Sequence, residues 1–174
     1  SKGCGGIMRV APIGLWGSIP NLENRQIFSL ASDAAEITHG HPSGFLASGF
    51  LAVVIAEIVR GIDLEAAIES AMKCLLEKGS RSEVVEAVED AIRLSETGTA
   101  TFDKVEQLGQ GWTAEEALAI SLYCALSANN FEDGVVMAVN HGGDSDSTGS
   151  ITGQILGALY GLASIPDKWL DQLE

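Results

Sequence analysis

"GFLASGFLAVVIAEIVRG", residues 44–61, is apolar on nearly every side of a helical projection. A surface helix carries one apolar stripe, so a segment with no polar face predicts a helix buried at the centre of the fold. Its apolar stretch from Phe45 to Ile58 is interrupted by Glu57 and is shorter than a membrane span requires. Gly61 marks its end. Upstream, residues 24–37 place Ile27, Leu30, Ala31, Ala34 and Ile37 on one helical face. "THGHPSG" then breaks that helix, because Pro42 disfavours helical geometry at His41, and a loop with two histidines results. Downstream, Asp63 is a candidate cap for a helix whose inner face is Leu64, Ala67, Ile68, Ala71, Met72 and Leu75, ending at Gly79. A fourth helix runs from Arg81 or Ser82 to Leu94.

Periodicity fades over residues 95–111, where a short helix is expected around Asp103 to Leu108. Thr113 followed by Glu116 fits a capping box, opening a helix through Ala117, Ile120, Ala125 and Leu126. Phe131 to Val139 gives another. The last long helix, from about Asp146 to Leu162, carries Gly149, Gly153, Gly157 and Gly161 at intervals of four, stacked on one face. Interior glycines cost about 1 kcal/mol each relative to Ala, so this row predicts close approach of a neighbouring helix. No long segment alternates apolar and polar residues in the manner of a half-buried strand. The expected fold is all-α, a compact helical bundle forming a single domain over residues 1–174.

Ten Lys and Arg stand against 24 Asp and Glu, a net charge of −14 with no basic stripe. That balance argues against nucleic acid as a partner, and no targeting segment points to a membrane. Cys4, Cys74 and Cys124 are odd in number and set among apolar neighbours, as expected of reduced thiols in a cytoplasmic protein.

The chemistry concentrates in "AVNHGGDSDSTGSITGQ", residues 138–154, where Asp144 and Asp146 sit two apart at the mouth of the last helix. One helix cap cannot use both carboxylates, and Ser145, Ser147 and Thr148 already offer neutral capping oxygens. Crowded carboxylates repel unless a proton or cation intervenes, which favours a hard cation such as Mg²⁺ or Ca²⁺. An EF-hand is excluded by counting from Asp144: the twelfth position is Ile155 in place of a bidentate Glu. A Gly-Asp-Ser esterase built on Ser145 needs a histidine, none follows His141, and the nucleophile-elbow frame is absent. A zinc site from His39, His41 and His141 is a further alternative. The glycines at 3, 5 and 6 allow bare backbone to approach a ligand, and equally make a turn into a helix. "GCGGIM" is no dinucleotide fingerprint, since Met8 occupies the last glycine position. Arg9 can counter a phosphate or pair with a buried carboxylate.

Four ordered segments, "GCGGIMRVAPIGL" (3–15), "ITHGHPSG" (37–44), "GQGWTAEEALAISLYCAL" (109–126) and "GGDSDS" (142–147), resemble the C-terminal portion of the ADP-ribosylglycohydrolase family, which includes the dinitrogenase-reductase-activating glycohydrolases. The resemblance implies a compact all-α bundle and an active site holding two Mg²⁺ ions, or Mn²⁺, beside ADP-ribose. It implies Asp144, Asp146 and Ser147 as metal ligands, Ser147 standing where Thr is common. It implies that Gly3, Cys4, Gly5, Gly6 and Met8 line the substrate site, with Cys4 where Asn is frequent. His39 would lie near ribose or phosphate, and His41 is a secondary candidate. The family's Thr-Asp-Asp motif, and the acidic residues that precede the glycine segment, have no counterpart here. The catalytic acidic residues are therefore expected upstream of Ser1, the chain is expected to be N-terminally truncated, and alone it is expected to bind divalent cations weakly and to lack turnover. Its implied partner is an ADP-ribosylated protein or a small ADP-ribosyl molecule. A noncatalytic ADP-ribose-binding or structural module is the alternative.

Overall fold

A computed structural model describes residues 1–78 and 82–172. The expected ends at Gly79 and Arg81 lie outside the described residues. In chain order the helices are α1 (Ala11–Ser18), α2 (Asn24–Glu36), α3 (Pro42–Val59), α4 (Leu64–Lys78), α5 (Glu83–Ser95), α6 (Phe102–Gln107), α7 (Ala114–Ser127), α8 (Phe131–Val139), α9 (Ser145–Tyr160) and α10 (Asp167–Leu170). Short 3₁₀ turns stand at Ile7–Arg9 and Leu162–Ser164. Among the described residues the only β-type pairing is an isolated antiparallel bridge between Gly3 and Thr113. The fold is all-α, as the periodicity predicts.

The central helix is α3. It packs against α1, α2, α4, α7 and α9, and its Ala47, Phe50, Leu51, Val53 and Val54 are wholly buried. His41 takes an extended conformation (φ −80°, ψ 140°) directly before Pro42, which occupies the first helical position. With its N-terminal turn included, α3 reaches 18 residues with a mean hydropathy of 1.8, long and apolar enough to cross a membrane. Sequence reading makes it too short; its burial, 72% inside the fold, is what accounts for its apolar surface. Gly61 ends it with φ +88°, and the Asp63 carboxylate caps α4 by accepting the Ala66 amide at 2.8 Å.

Three local expectations are corrected. The inner face of α2 is Ile27, Phe28, Ala31 and Ala35, whereas Leu30 is exposed and Ile37 is 82% exposed beyond the helix end. Phe28, the largest side chain of the helix and wholly buried, turns the inner face one position away from Leu30 and Ile37. Thr113 and Glu116 form no capping box: the Thr113 hydroxyl has no partner, and Glu116 reaches back to accept the amides of Gln110 and Gly111 at 3.3 and 3.1 Å. The glycine row of α9 does face a helix, α8, but unevenly. A Cβ on Gly149 would meet Val139 Cγ1 at 2.5 Å, while on Gly153 and Gly157 it would only touch Val135 and Phe131 at 4.0 and 3.9 Å. Gly161 is the C-cap, with φ +77° and open space around it.

Candidate active site

The site is built where the N-terminal glycine segment crosses the start of α9. Residues 109–113 hold the two together. The Cys4 amide donates to the Trp112 carbonyl at 3.2 Å and the Ala114 amide to Lys2 at 3.0 Å, while the Asp144 amide donates to Gln110 at 2.7 Å. Gly143 makes this last approach possible, since a Cβ there would lie 2.0 Å from the Gln110 carbonyl oxygen. Lys2 secures the segment from below, its ammonium 2.6 Å from Glu115 Oε1 and 3.0 Å from Glu83 Oε2.

Asp144 occupies the N-cap position of α9 but makes no side-chain cap bond. Its carboxylate, 8% exposed, instead lies 3.0 Å from the Cys4 thiol, which is also 3.3 Å from Ser147 Oγ. The one thiol proton goes to the carboxylate, the stronger acceptor. Ser147 in turn directs its hydroxyl at Met8 Sδ, 3.1 Å away. Asp146 is exposed in the first turn of α9. Burial works against the charge on Asp144, yet hydrogen bonding, that from the Cys4 thiol foremost, outweighs it and holds the carboxyl below its ordinary value. Burial above all, with the neighbouring Asp144 charge, pushes the Cys4 thiol up, so it stands as a protonated donor at neutral pH.

The other wall is His39. Its ring lies on the glycine backbone: a Cβ on Gly5 or Gly6 would come within 3.2 Å of imidazole atoms, and one on Gly3 within 3.9 Å. Arg9 donates to the Ala34 carbonyl at 2.9 Å and to Thr38 Oγ1 at 2.7 Å, and the Thr38 hydroxyl is 2.7 Å from His39 Nδ1. With the threonine oxygen accepting from Arg9, its proton is free for Nδ1, which assigns the remaining ring proton to Nε2. Burial, then the Arg9 charge, lowers the His39 pKa and favours the neutral ring. Among the described residues, Arg9 thus pairs with a carbonyl and a hydroxyl and with no buried carboxylate. His41 is different: its Nδ1 accepts the Ser43 amide at 3.2 Å as the N-cap of α3, and its ring is exposed.

His141 accepts the Gly143 amide on Nδ1 at 3.1 Å and faces Thr148 Oγ1 from Nε2 at 2.9 Å. Both ring nitrogens are used and neither serves Ser145, which removes the esterase reading. Among the described residues no three His, Cys, Asp or Glu side chains converge to hold a metal, so the three-histidine zinc site is not formed.

A sequence profile described as ADP-ribosylglycohydrolase matches residues 1–174. The chain belongs to the ADP-ribosylglycohydrolase family. A solved structure described as an ADP-ribosylglycohydrolase-related protein complex superimposes with a TM-score of 0.79 at 32% identity, over 99% of this chain and 55% of that one. An uncharacterized protein of Archaeoglobus fulgidus is 30% identical over the whole chain and 54% of its own length. Human ADP-ribosylhydrolase ARH3 is 26% identical over the whole chain and 54% of its own. ADP-ribosylarginine hydrolase Tri1 of Serratia proteamaculans is 26% identical over 86% of this chain and 37% of its own. The chain therefore spans about half the length of these relatives, or less.

In this ADP-ribosylglycohydrolase chain the residues singled out in the glycine segment, Gly3, Cys4, Gly5, Gly6 and Met8, meet Asp144 and Ser147 on one side and His39 on the other. Two carboxyls and a hydroxyl fit one side of a hard-cation shell, which takes six or more oxygens, and do not complete it. Sequence reading missed the connector 109–113 and the partners Lys2 and Glu115. Glu115 carried a signal, a glutamate amid residues that are otherwise buried, and Trp112, 58% exposed in the connector, carried another.

Proposed function

We propose that this chain is part of an enzyme that hydrolyses the glycosidic bond between ADP-ribose and a protein side chain or related acceptor. Asp144, Asp146 and Ser147 hold Mg²⁺, or Mn²⁺ in its place, two ions being expected in the whole site. The single observation behind this is the convergence, in an ADP-ribosylglycohydrolase fold, of the Asp144 carboxylate and Ser147 hydroxyl with the glycine segment across 140 residues of chain. The relatives support the reaction class, since Tri1 is described as an ADP-ribosylarginine hydrolase and ARH3 as an ADP-ribosylhydrolase.

The chemistry supplied by a bound divalent cation is electrostatic: it neutralises the paired carboxylates and polarises the oxygens it touches. The chain's own residues position the rest. Gly5 is exposed, and without a side chain it leaves its open edge to a ribose or phosphate oxygen, while Gly6 is buried and lets the His39 ring pack on the segment. Neutral His39, with Nδ1 tied to Thr38, donates from Nε2 to such an oxygen. Asp144, fixed through its amide to Gln110, keeps its carboxylate facing the glycine segment, so geometry more than proton transfer carries the rate. With three oxygen ligands, the 174-residue chain alone binds Mg²⁺ weakly and is not expected to turn over.

The test is a Mn²⁺ titration of the chain, with and without ADP-ribose, followed by electron paramagnetic resonance. Binding is expected that is lost in Asp144→Ala and in Asp146→Ala while circular dichroism stays helical. Unchanged binding in both variants overturns the metal assignment. Binding of ADP-ribose with no metal dependence would instead favour the noncatalytic module.

A further inference from the structure

Helix α9 reaches the glycine segment a second time, well beyond its first turn. Half-buried Gln154 donates from Nε2 to the Met8 carbonyl at 2.8 Å and to Ser150 Oγ at 3.2 Å, while its own Oε1 is buried with no partner. Burying an amide with one end unsatisfied costs stability, so the end that is satisfied calls for a reason. The sequence supplies one. In a helical turn the carbonyl of residue 8 accepts the amide of residue 12, and residue 12 is proline, which has none. Among the described residues no other backbone amide takes that place between the 3₁₀ turn and α1. Gln154 provides the donor that Pro12 withholds. It stands seven positions after Ser147, two turns and about 10 Å along the same face of α9. Met8 comes directly after wholly buried Ile7 and the two glycines on which the His39 ring lies.

We propose that Gln154 is a positioning residue for ADP-ribose. By holding the Met8 carbonyl it sets how far the glycine segment stands from α9, and with that the place of the open edge at Gly5 relative to His39 Nε2. The inference rests on the ADP-ribose reading given above and adds a residue that acts through Met8.

Binding of ADP-ribose and of Mn²⁺ to the 174-residue chain and its Gln154 variants tests it. Gln154→Ala keeps a strong helix former in α9 and removes the amide. Its affinity for ADP-ribose, by calorimetry in saturating Mn²⁺, should fall about threefold to tenfold, the worth of one net hydrogen bond. Its affinity for Mn²⁺ alone should not change. Gln154→Glu is the second variant, whose carboxyl can donate to the Met8 carbonyl only when protonated, and burial raises its pKa. Relative to the wild type at the same pH, its affinity for ADP-ribose should be lowest at pH 8 and recover toward pH 5. A lowered melting temperature with both affinities unchanged makes Gln154 a structural residue and overturns the proposal. Equal losses of Mn²⁺ and ADP-ribose affinity, or no recovery of the Glu variant at low pH, also overturn it. A wild-type chain that does not bind ADP-ribose removes the reading of the site, and this inference with it.

Discussion

Asp144 stands at a helix N-cap and caps nothing; its buried carboxylate faces a thiol 140 positions away. Replacing it tests how much of that arrangement is structural. Asp144→Ala leaves the buried Cys4 thiol only the Ser147 hydroxyl, 3.3 Å away, as an acceptor, and the loss of one hydrogen bond costs about 0.5–1.5 kcal/mol. Asp144→Asn keeps an acceptor in place and should cost less, so thermal unfolding is expected to rank the wild type above Asn and Asn above Ala. His39 supplies a second expectation at this scale. Its folded-state pKa lies below the ordinary value of 6.5, so between the two values the unfolded chain binds more protons and stability rises with pH. Stability should therefore begin to fall as pH drops through about 6.5 and level off once the folded-state value is passed. Melting temperatures from pH 7.5 to 5 should show this slope in the wild type and a shallower one in His39→Asn; equal slopes would show that the ring is not held neutral.

Helix α9 separates two effects of the same substitution. Gly153→Ala adds a methyl where the nearest atom is 4.0 Å away, so it should stabilise by about 0.5–1 kcal/mol through helix propensity alone. Gly149→Ala places its methyl 2.5 Å from Val139; β-branched Val has little rotamer freedom to yield, and overpacking of about 1–3 kcal/mol should outweigh the same propensity gain. Shifts of opposite sign in melting temperature are expected, and shifts of one sign would mean that α9 does not seat on α8 as described. At this scale the sequence was largely readable, because 3.6-residue periodicity, the proline at 42 and the cap at Asp63 act locally. Two things were not. The burial of α7 on most sides, from Ala114 through Ala125, depends on neighbours, and its alternating small and large residues read as an ordinary amphipathic face. Glu116 three residues after Thr113 looks like a capping box in sequence, but the backbone of 109–111 offers its carboxylate two amides in place of one. The site divides in the same way: each half, "GCGGIM" and "GGDSDS", was legible alone, whereas their contact through the 109–113 connector leaves no periodic trace.

Across the whole molecule, Lys2 links the glycine segment to α5 and α7 by bridging Glu83 and Glu115. Glu115 first, then Glu83, raises the Lys2 pKa above its ordinary 10.5. The link is therefore fully present below that value and is lost only as pH rises through the still higher folded-state value. Lys2→Ala strands Glu115, which is 7% exposed, and should lower the melting temperature; adding Glu115→Gln should recover part of the loss, since an amide tolerates burial without a cation. An additive double variant would show that the two side chains are independent. The meeting of residues 4 and 144 has one more consequence, and it concerns time. Closing a loop of that length costs about 4 kcal/mol of chain entropy, whereas hairpins of adjacent helices such as α2 with α3 and α8 with α9 close over short connections. The helical scaffold can thus assemble before the two halves of the site find each other, and the reverse order holds on opening. In urea too dilute to unfold the bundle, an alkylating reagent should reach Cys4 while Cys124, wholly buried within α7, stays protected, making the site the last part of the molecule to fold and the first to let go.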